Sequence, residues 1–306
     1  MTADGHRSEA RFFRAAAGRH SDSDVRPRFA VFPAMGVRAR YYDPLGEALS
    51  AAGCDAIVAE LRGQGTSSHR ASRRCDWGYE TAIRQDWPAV LAAFERRTGV
   101  PAPRPPPDAV EGLGSEPAET VSPLYLLGHS LGGQVSSLYL AAHPGAAAGL
   151  VLVASGTNWH RNWGFPRGLA MLARIQAGGL IARGLGFFPG RTLGFADLQA
   201  RQEIVDWAAT GRHGRFVPRG AGLDYEAALA RLQTRVFAFT FEGDDYATAA
   251  AADHLLGKLR AARITRRHLT SADAPAACLH HFAWVRQPAP ILAHILGAIS
   301  AQSVTL

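Results

Sequence analysis

The residues with the strongest chemical content are Gly128-His129-Ser130-Leu131-Gly132-Gly133. A serine hydroxyl is a weak nucleophile at neutral pH unless a base takes its proton, and attack on a carbonyl is fast only where hydrogen-bond donors meet the developing oxyanion. A G-x-S-x-G segment between a strand and a helix can meet both needs. The serine sits on a sharp, strained turn whose flanking positions are forced together, so only small residues fit there, and the helix behind it opens with free amides and a partial positive charge. The pattern alone is weak, because about 0.2 chance matches are expected in a chain with 32 glycines. Its setting is what makes it specific: Leu124–Leu127 reads as a buried strand just before it, and Leu131–Ala142 as a helix just after. The competing reading is a glycine-rich turn with an incidental serine. His129, beside the serine, reads as a packing or hydrogen-bonding residue and not as the base.

The hydroxyl needs an imidazole, and the imidazole needs a carboxylate to orient it. Thr240-Phe241-Glu242-Gly243-Asp244-Asp245 leaves an apolar strand and enters a helix after Tyr246, which places a carboxylate at a strand end. Asp244 is preferred there, with Asp245 the alternative and otherwise an exposed residue at the helix start. His280 and His281 fall in the loop between a strand ending near Leu269 and the last helix. His281 is preferred, because Phe282, Ala283 and Trp284 can bury one side of that loop. His268, in a strand, and His254, on a helix face, have weaker claims. The second oxyanion donor is expected in the turn Ala34-Met35-Gly36, where the backbone amide of Met35 would pair with that of Leu131; a plain strand-to-helix turn would look the same.

The elements that must position these groups alternate along the chain. Phe29–Pro33 reads as a strand and Tyr41–Ala52 as a helix; Asp55–Leu61 as a strand and Tyr79–Arg97 as an amphipathic helix with Ile83, Trp87, Val90, Leu91 and Phe94 on one face. Gly149–Ala154, Arg235–Phe241 and Ile264–Leu269 read as further strands, Ala247–Arg260 and Pro290–Ile299 as helices, and the stretch around Ala10–Ala16 as a short strand. Strands alternating with helices imply an α/β fold: a mostly parallel central sheet with helices on both faces. Residues 1–28 form a polar N-terminal segment, 29–154 the first part of the core, and 234–306 the second part. Between the two, residues 155–233 are helical pieces broken by Gly and Pro, read as a helical cap inserted late in the sheet. The proline-rich stretch Val100–Pro123 reads as a solvent-exposed loop.

Composition narrows the function classes. With 47% hydrophobic and 19% charged residues over 306 positions, the chain reads as an ordinary globular protein. Its net charge of +7 comes from arginines scattered from Arg7 to Arg286, with Lys258 the sole lysine, so no basic patch singles out nucleic acid as a partner. The stretch Gly168–Gly190 is broken by Arg174 and Arg183, so neither a membrane span nor a membrane partner is expected. Cys54, Cys75 and Cys278 lack metal or disulfide spacing and the N-terminus lacks a signal-peptide run, which together indicate a cytoplasmic protein. Homo-oligomerisation is left open.

The segments FPAMGVRARYYDPLGEALSAAG, LRGQGTS, LLGHSLGGQ, LVLVASGTNWHRNW, FEGDDYA and LHHFAWVR together resemble the α/β-hydrolase superfamily over most of residues 29–300, and within it bacterial serine-aminopeptidase-like hydrolases. The resemblance implies the α/β-hydrolase fold, a Ser130-Asp244-His281 triad and a helical cap over the site. The chain departs from the family in carrying Pro33-Ala34 where a His-Gly pair is familiar. The expected activity is that of a serine esterase acting on a small-molecule acyl substrate through an acyl-enzyme, with no metal or organic cofactor required. Acyl transfer, a thioesterase reaction and non-catalytic ligand binding are the alternatives. Trp159, Trp163, Phe165, Phe187, Phe188 and Trp207 are candidates for an acyl pocket or, equally, for the cap's own core.

Overall fold

The structure, a computed structural model, describes residues 1–16, 26–101 and 122–303. The main strands are β1 (Arg11–Phe13), β2 (Arg28–Phe32), β3 (Ala56–Val58), β4 (Leu124–His129) and β5 (Gly149–Val153). After them come a short pair, β6 (Phe187–Pro189) and β7 (Leu198–Ala200), and then β8 (Arg235–Phe241) and β9 (Arg263–Leu269). Seven of these form one sheet in the order β1-β3-β2-β4-β5-β8-β9. Every pairing in it is parallel except that of β1 with β3.

Period-two alternation builds the layers. In β2, Phe29 and Val31 enter one core while Ala30 and Phe32 enter the other; in β4, Tyr125 and Leu127 oppose Leu124 and Leu126 in the same way. Strands this apolar on both sides need cover on both sides. One face is covered by α1 (Asp43–Ala51), α10 (Ala283–Arg286) and α11 (Ala289–Ser303), through Leu45, Trp284 and Ile295 among others. The other is covered by α3 (Trp87–Thr98), α4 (Leu131–Ala142) and α9 (Ala249–Leu256), through Trp87, Leu138 and Leu255. The stacked rings of Phe32 and Trp87, 4.2 Å apart, lock α3 to the sheet, and the Trp87 indole donates to Ser136 Oγ of α4 at 2.9 Å.

Several boundaries differ from the sequence reading. The expected helix over Tyr79–Arg97 opens as α2 (Tyr79–Thr81), widens into one π-helical turn over Ala82–Asp86, and only then becomes α3. The strand expected over Asp55–Leu61 pairs only over Ala56–Val58, and the helix expected over Ala247–Arg260 is limited to Ala249–Leu256. β9 lies at the sheet edge and is mostly exposed, with Arg263, Arg266 and Arg267 along it; such charges discourage further strand pairing. Most of the proline-rich stretch read as a loop falls outside the described residues. The flanks of that stretch are tied to the core by the Arg28 guanidinium, which donates to the carbonyls of Val100, Pro101 and Ser122 at 2.9, 3.1 and 3.0 Å.

Between β5 and β8 the chain forms α5 (Arg167–Leu185), the β6–β7 pair flanking α6 (Gly190–Leu193), α7 (Arg201–His213) and α8 (Tyr225–Arg231). A clasp joins this insertion to the core loop before α2. The Asp76 carboxylate accepts from the Arg201 guanidinium and the Gln202 amide, Trp77 Nε1 donates to Glu203 at 3.2 Å, and the Tyr79 amide donates to Asp206 at 3.1 Å. Among the described residues no helix is long and apolar enough to cross a membrane.

Candidate active site

The elbow is built by steric necessity. β4 ends at His129 and α4 starts at Leu131, leaving Ser130 to turn the chain alone, at φ 54° and ψ −117°. A non-glycine residue held there costs about 1–3 kcal/mol. A Cβ on Gly128 would overlap the backbone of Gly133, and one on Gly132 would overlap the carbonyl of Phe32, so only glycine lets the turn close against β2. Ser155 Oγ, just beyond β5, donates to the Ser130 carbonyl at 2.7 Å and braces the turn from below.

Ser130 is partly exposed, and its Oγ lies 3.0 Å from His281 Nε2. On the far side of that ring, Nδ1 lies 3.0 and 2.9 Å from the two carboxylate oxygens of Asp244. Asp244 comes from the turn after β8, where its Oδ1 also accepts from the amides of Tyr246 and Ala247 at 2.8 and 2.9 Å. The expected acid and base are thus brought to the expected serine. Asp245 is not: its side chain is 76% exposed and pairs with Arg167, and it precedes α9 by several residues instead of starting it. His280 turns outward, its Nδ1 3.0 Å from the Gly243 carbonyl. His268 bonds Thr240 within the sheet and His254 bonds Thr157 in the insertion's first turn, so neither reaches the serine.

The amides proposed for the oxyanion are both available. The turn after β2 closes with the Val37 amide donating to the Ala34 carbonyl at 3.1 Å, and the Ala34 amide donates to the Tyr42 hydroxyl at 2.8 Å. Among the described residues the amides of Met35 and Leu131 have no acceptor. Gly36 follows in a left-handed conformation, φ 73°, and packs so closely on the Ala196 backbone of the insertion that a side chain could not fit.

The aromatic surround of the imidazole includes Phe282 and His129, which the sequence reading took as packing residues, and Tyr246, to which it gave no such role. Tyr246 lies over the His281 ring at 5.1 Å, Phe282 meets it edge-on at 4.7 Å, and His129 lies 5.0 Å away on the buried side. Burial, with His281 beside it, pushes the His129 imidazole well below the usual histidine range. Tyr42, whose hydroxyl is 2.6 Å from His129 Nδ1, was also missed, because an isolated tyrosine at a helix start carries no pattern.

The six candidate pocket aromatics disperse. Phe165 is 86% exposed, Trp163 Nε1 donates to the Asp245 carbonyl, Trp159 stacks on His254, and Phe187 packs with Trp77. Phe188 reaches the turn after β2 through Met35, and Trp207 packs on the main core. Phe188 packs with Ile204, Ala182 and the Met35 side chain, and Phe195, which the sequence reading did not single out, lies 6.4 Å from Phe188 and 5.6 Å from Trp207. Behind the elbow, a cavity of about 30 Å³ is lined by Pro33, Trp77, Tyr79, Leu131, Gly132 and Glu203, among others.

Residues 30–293 match the family model described as Alpha/beta hydrolase family. No curated protein matches the chain. Solved structures similar to it include Est816, described as an N-acyl homoserine lactone degrading enzyme, at 16% identity and TM-score 0.57, covering 96% of this chain and 97% of that one. A carboxylesterase from Nitrososphaera gargenis is similar at 16% identity and TM-score 0.55, with 99% and 98% covered. The monoacylglycerol lipase of Paleococcus ferrophilus is similar at 15% identity and TM-score 0.56, with 94% and 97% covered. At these identities the likeness is one of fold.

Proposed function

Since the chain belongs to the alpha/beta hydrolase family, we propose that it is a serine hydrolase that cleaves a carboxylic ester or lactone through an acyl-enzyme. One observation carries the reading: an unbroken line of hydrogen-bonding atoms from Ser130 Oγ through both His281 nitrogens to the Asp244 carboxylate, with steps of 3.0 Å and 2.9–3.0 Å. The ester and lactone substrates named for the similar structures agree with it.

In this mechanism Ser130 Oγ attacks the carbonyl carbon while His281 Nε2 takes its proton, and the carbonyl electron pair moves onto oxygen. The amides of Met35 and Leu131 receive that oxyanion at the helix N-terminus. Collapse of the tetrahedral species expels the alkoxide, which takes the proton from His281. Water then attacks the acyl-enzyme with His281 again as base, releasing the carboxylic acid and restoring Ser130. Asp244 holds Nδ1–H throughout, so Nε2 keeps its lone pair toward the serine and the imidazolium is stabilised when it forms. No cofactor enters these steps. Three unpaired cysteines, Cys54, Cys75 and Cys278, favour a reducing, cytoplasmic setting.

A fluorophosphonate probe tests the reading. The expected result is one adduct per chain, mapped by peptide mass spectrometry to Ser130 and absent after Ser130→Ala. Folded protein that takes no label, or takes it elsewhere, would sink the proposal.

A further inference from the structure

We propose that Tyr42 is a positioning residue for the oxyanion turn: its hydroxyl, shared between the Ala34 amide and His129 Nδ1, decides which backbone amide of that turn is left to face Ser130. The inference rests on the active-site reading above and adds a residue outside the triad to it.

Tyr42 and His129 are both fully buried, so every proton in their contact needs an acceptor within the protein. The Tyr42 oxygen lies 2.8 Å from the Ala34 nitrogen and 2.6 Å from His129 Nδ1. An amide can only donate, so the oxygen accepts from Ala34. The one hydroxyl proton then goes to Nδ1, which must bring a lone pair, and His129 carries its own proton on Nε2. The reverse assignment would leave two buried groups unmet, the hydroxyl proton and the Nε2 lone pair, where this one leaves only the Nε2–H. Among the described residues Nε2 has no hydrogen-bond partner. A neutral His129 is what this arrangement requires, and burial beside His281 favours the neutral ring.

The turn, which packs on the elbow through the Phe32 and Pro33 carbonyls against Gly132, carries the amides of Ala34 and Met35. Tyr42 occupies the first, and Met35 remains. Tyr42 thereby fixes a turn that has Pro33-Ala34 in sequence, and it does so from the helical turn Ala39–Tyr42, in which the neighbouring Tyr41 hydroxyl donates to the Phe282 carbonyl at 3.0 Å. One short element therefore touches the oxyanion turn, the elbow residue His129 and the histidine loop.

The test is Tyr42→Phe in the full chain, read as the rate of fluorophosphonate labelling at Ser130, a reaction that also builds negative charge on oxygen. Labelling about 10- to 100-fold slower than in the unaltered protein is expected. With a p-nitrophenyl ester, kcat should fall by the same factor while KM changes little. A Tyr42→Phe protein that is less heat-stable but labels within twofold of the unaltered chain would show a merely structural role and overturn the proposal. Should the unaltered chain fail to label, the site reading itself falls, and this proposal with it. If Tyr42→Phe does not fold, His129→Gln, which keeps an acceptor for the hydroxyl, is compared with His129→Leu, which does not. Several-fold faster labelling of the glutamine variant is expected, and equal rates would be fatal.

Discussion

Asp244, in the turn after β8, and Glu203, on α7 of the insertion, are both carboxyls largely withdrawn from water near the Ser130 elbow, but they meet different surroundings. Asp244 is met by two backbone amides and an imidazole. Glu203 has one indole donor, Trp77, and the carboxylates of Asp86, Asp206 and Asp76 as neighbours. Burial pushes the Glu203 carboxyl up to about 8, against the pull of the Trp77 bond, and pushes Asp206 up to about 6 despite its own hydrogen bonds. The first pocket surrounds its carboxyl with fixed hydrogen-bond partners, and burial in the second favours the protonated acid. Amides already fixed by a turn need no reorganisation when charge develops, which is what a partner to a reacting imidazole requires. A clasp between an insertion and a core needs only polar groups that are satisfied.

The comparison breaks most sharply at the proposed triad. Ser130→Ala or His281→Ala should lower ester turnover by about 10⁴- to 10⁶-fold with the fold intact. Activity within tenfold of the unaltered protein, checked by circular dichroism to be folded, would end the triad reading. Next in size, Asp244→Asn should cost about 10³- to 10⁴-fold in kcat, since an amide there cannot stabilise the imidazolium and favours the wrong tautomer. Asp245→Asn, beside it but facing solvent and Arg167, should stay within about twofold. Equal losses in the two variants would remove the distinction between them.

On the clasp side the effects are on stability. Asp206→Ala leaves the amides of Tyr79 and Arg219 without their acceptor and should destabilise by about 2–4 kcal/mol in denaturant unfolding. A loss below about 0.5 kcal/mol would mean that the clasp contributes little. The smallest effect is a pH dependence at Glu203. Its folded-state value lies above the unfolded one, so the stability it contributes is complete below about pH 4.5 and is lost as pH rises to about 8. Glu203→Gln cannot ionise, so between pH 5 and pH 9 it should gain about 1–2 kcal/mol relative to the unaltered chain, a figure reduced because Glu203 keeps some contact with solvent. A difference that is the same at both pH values would contradict the protonated clasp.

Legibility followed the range of the forces involved. The elbow could be read because its demands are local: two glycines, a strand before and a helix after, with α4 spanning the expected Leu131–Ala142. β8 likewise coincides with Arg235–Phe241, since buried parallel strands announce themselves as apolar runs. The π-helical turn over Ala82–Asp86 left no trace in the periodicity, because one widened turn barely shifts the apolar stripe. The dispersal of the pocket aromatics was equally hidden: whether Trp159 stacks on His254 or faces a substrate depends on where α9 lies, and α9 is remote in sequence.

By itself, then, the chain's sequence specified the parallel α/β scaffold, the serine elbow and the two turns that carry the proposed acid and base, all properties of short segments and their spacing. The sequence could only prefer Asp244 to Asp245 and His281 to His280; the tertiary structure supplied the geometry, because adjacent residues in a turn differ in direction more than in composition. It alone also joined Tyr42 to Ala34 and His129, a hydrogen bond between elements 87 residues apart that no local pattern encodes.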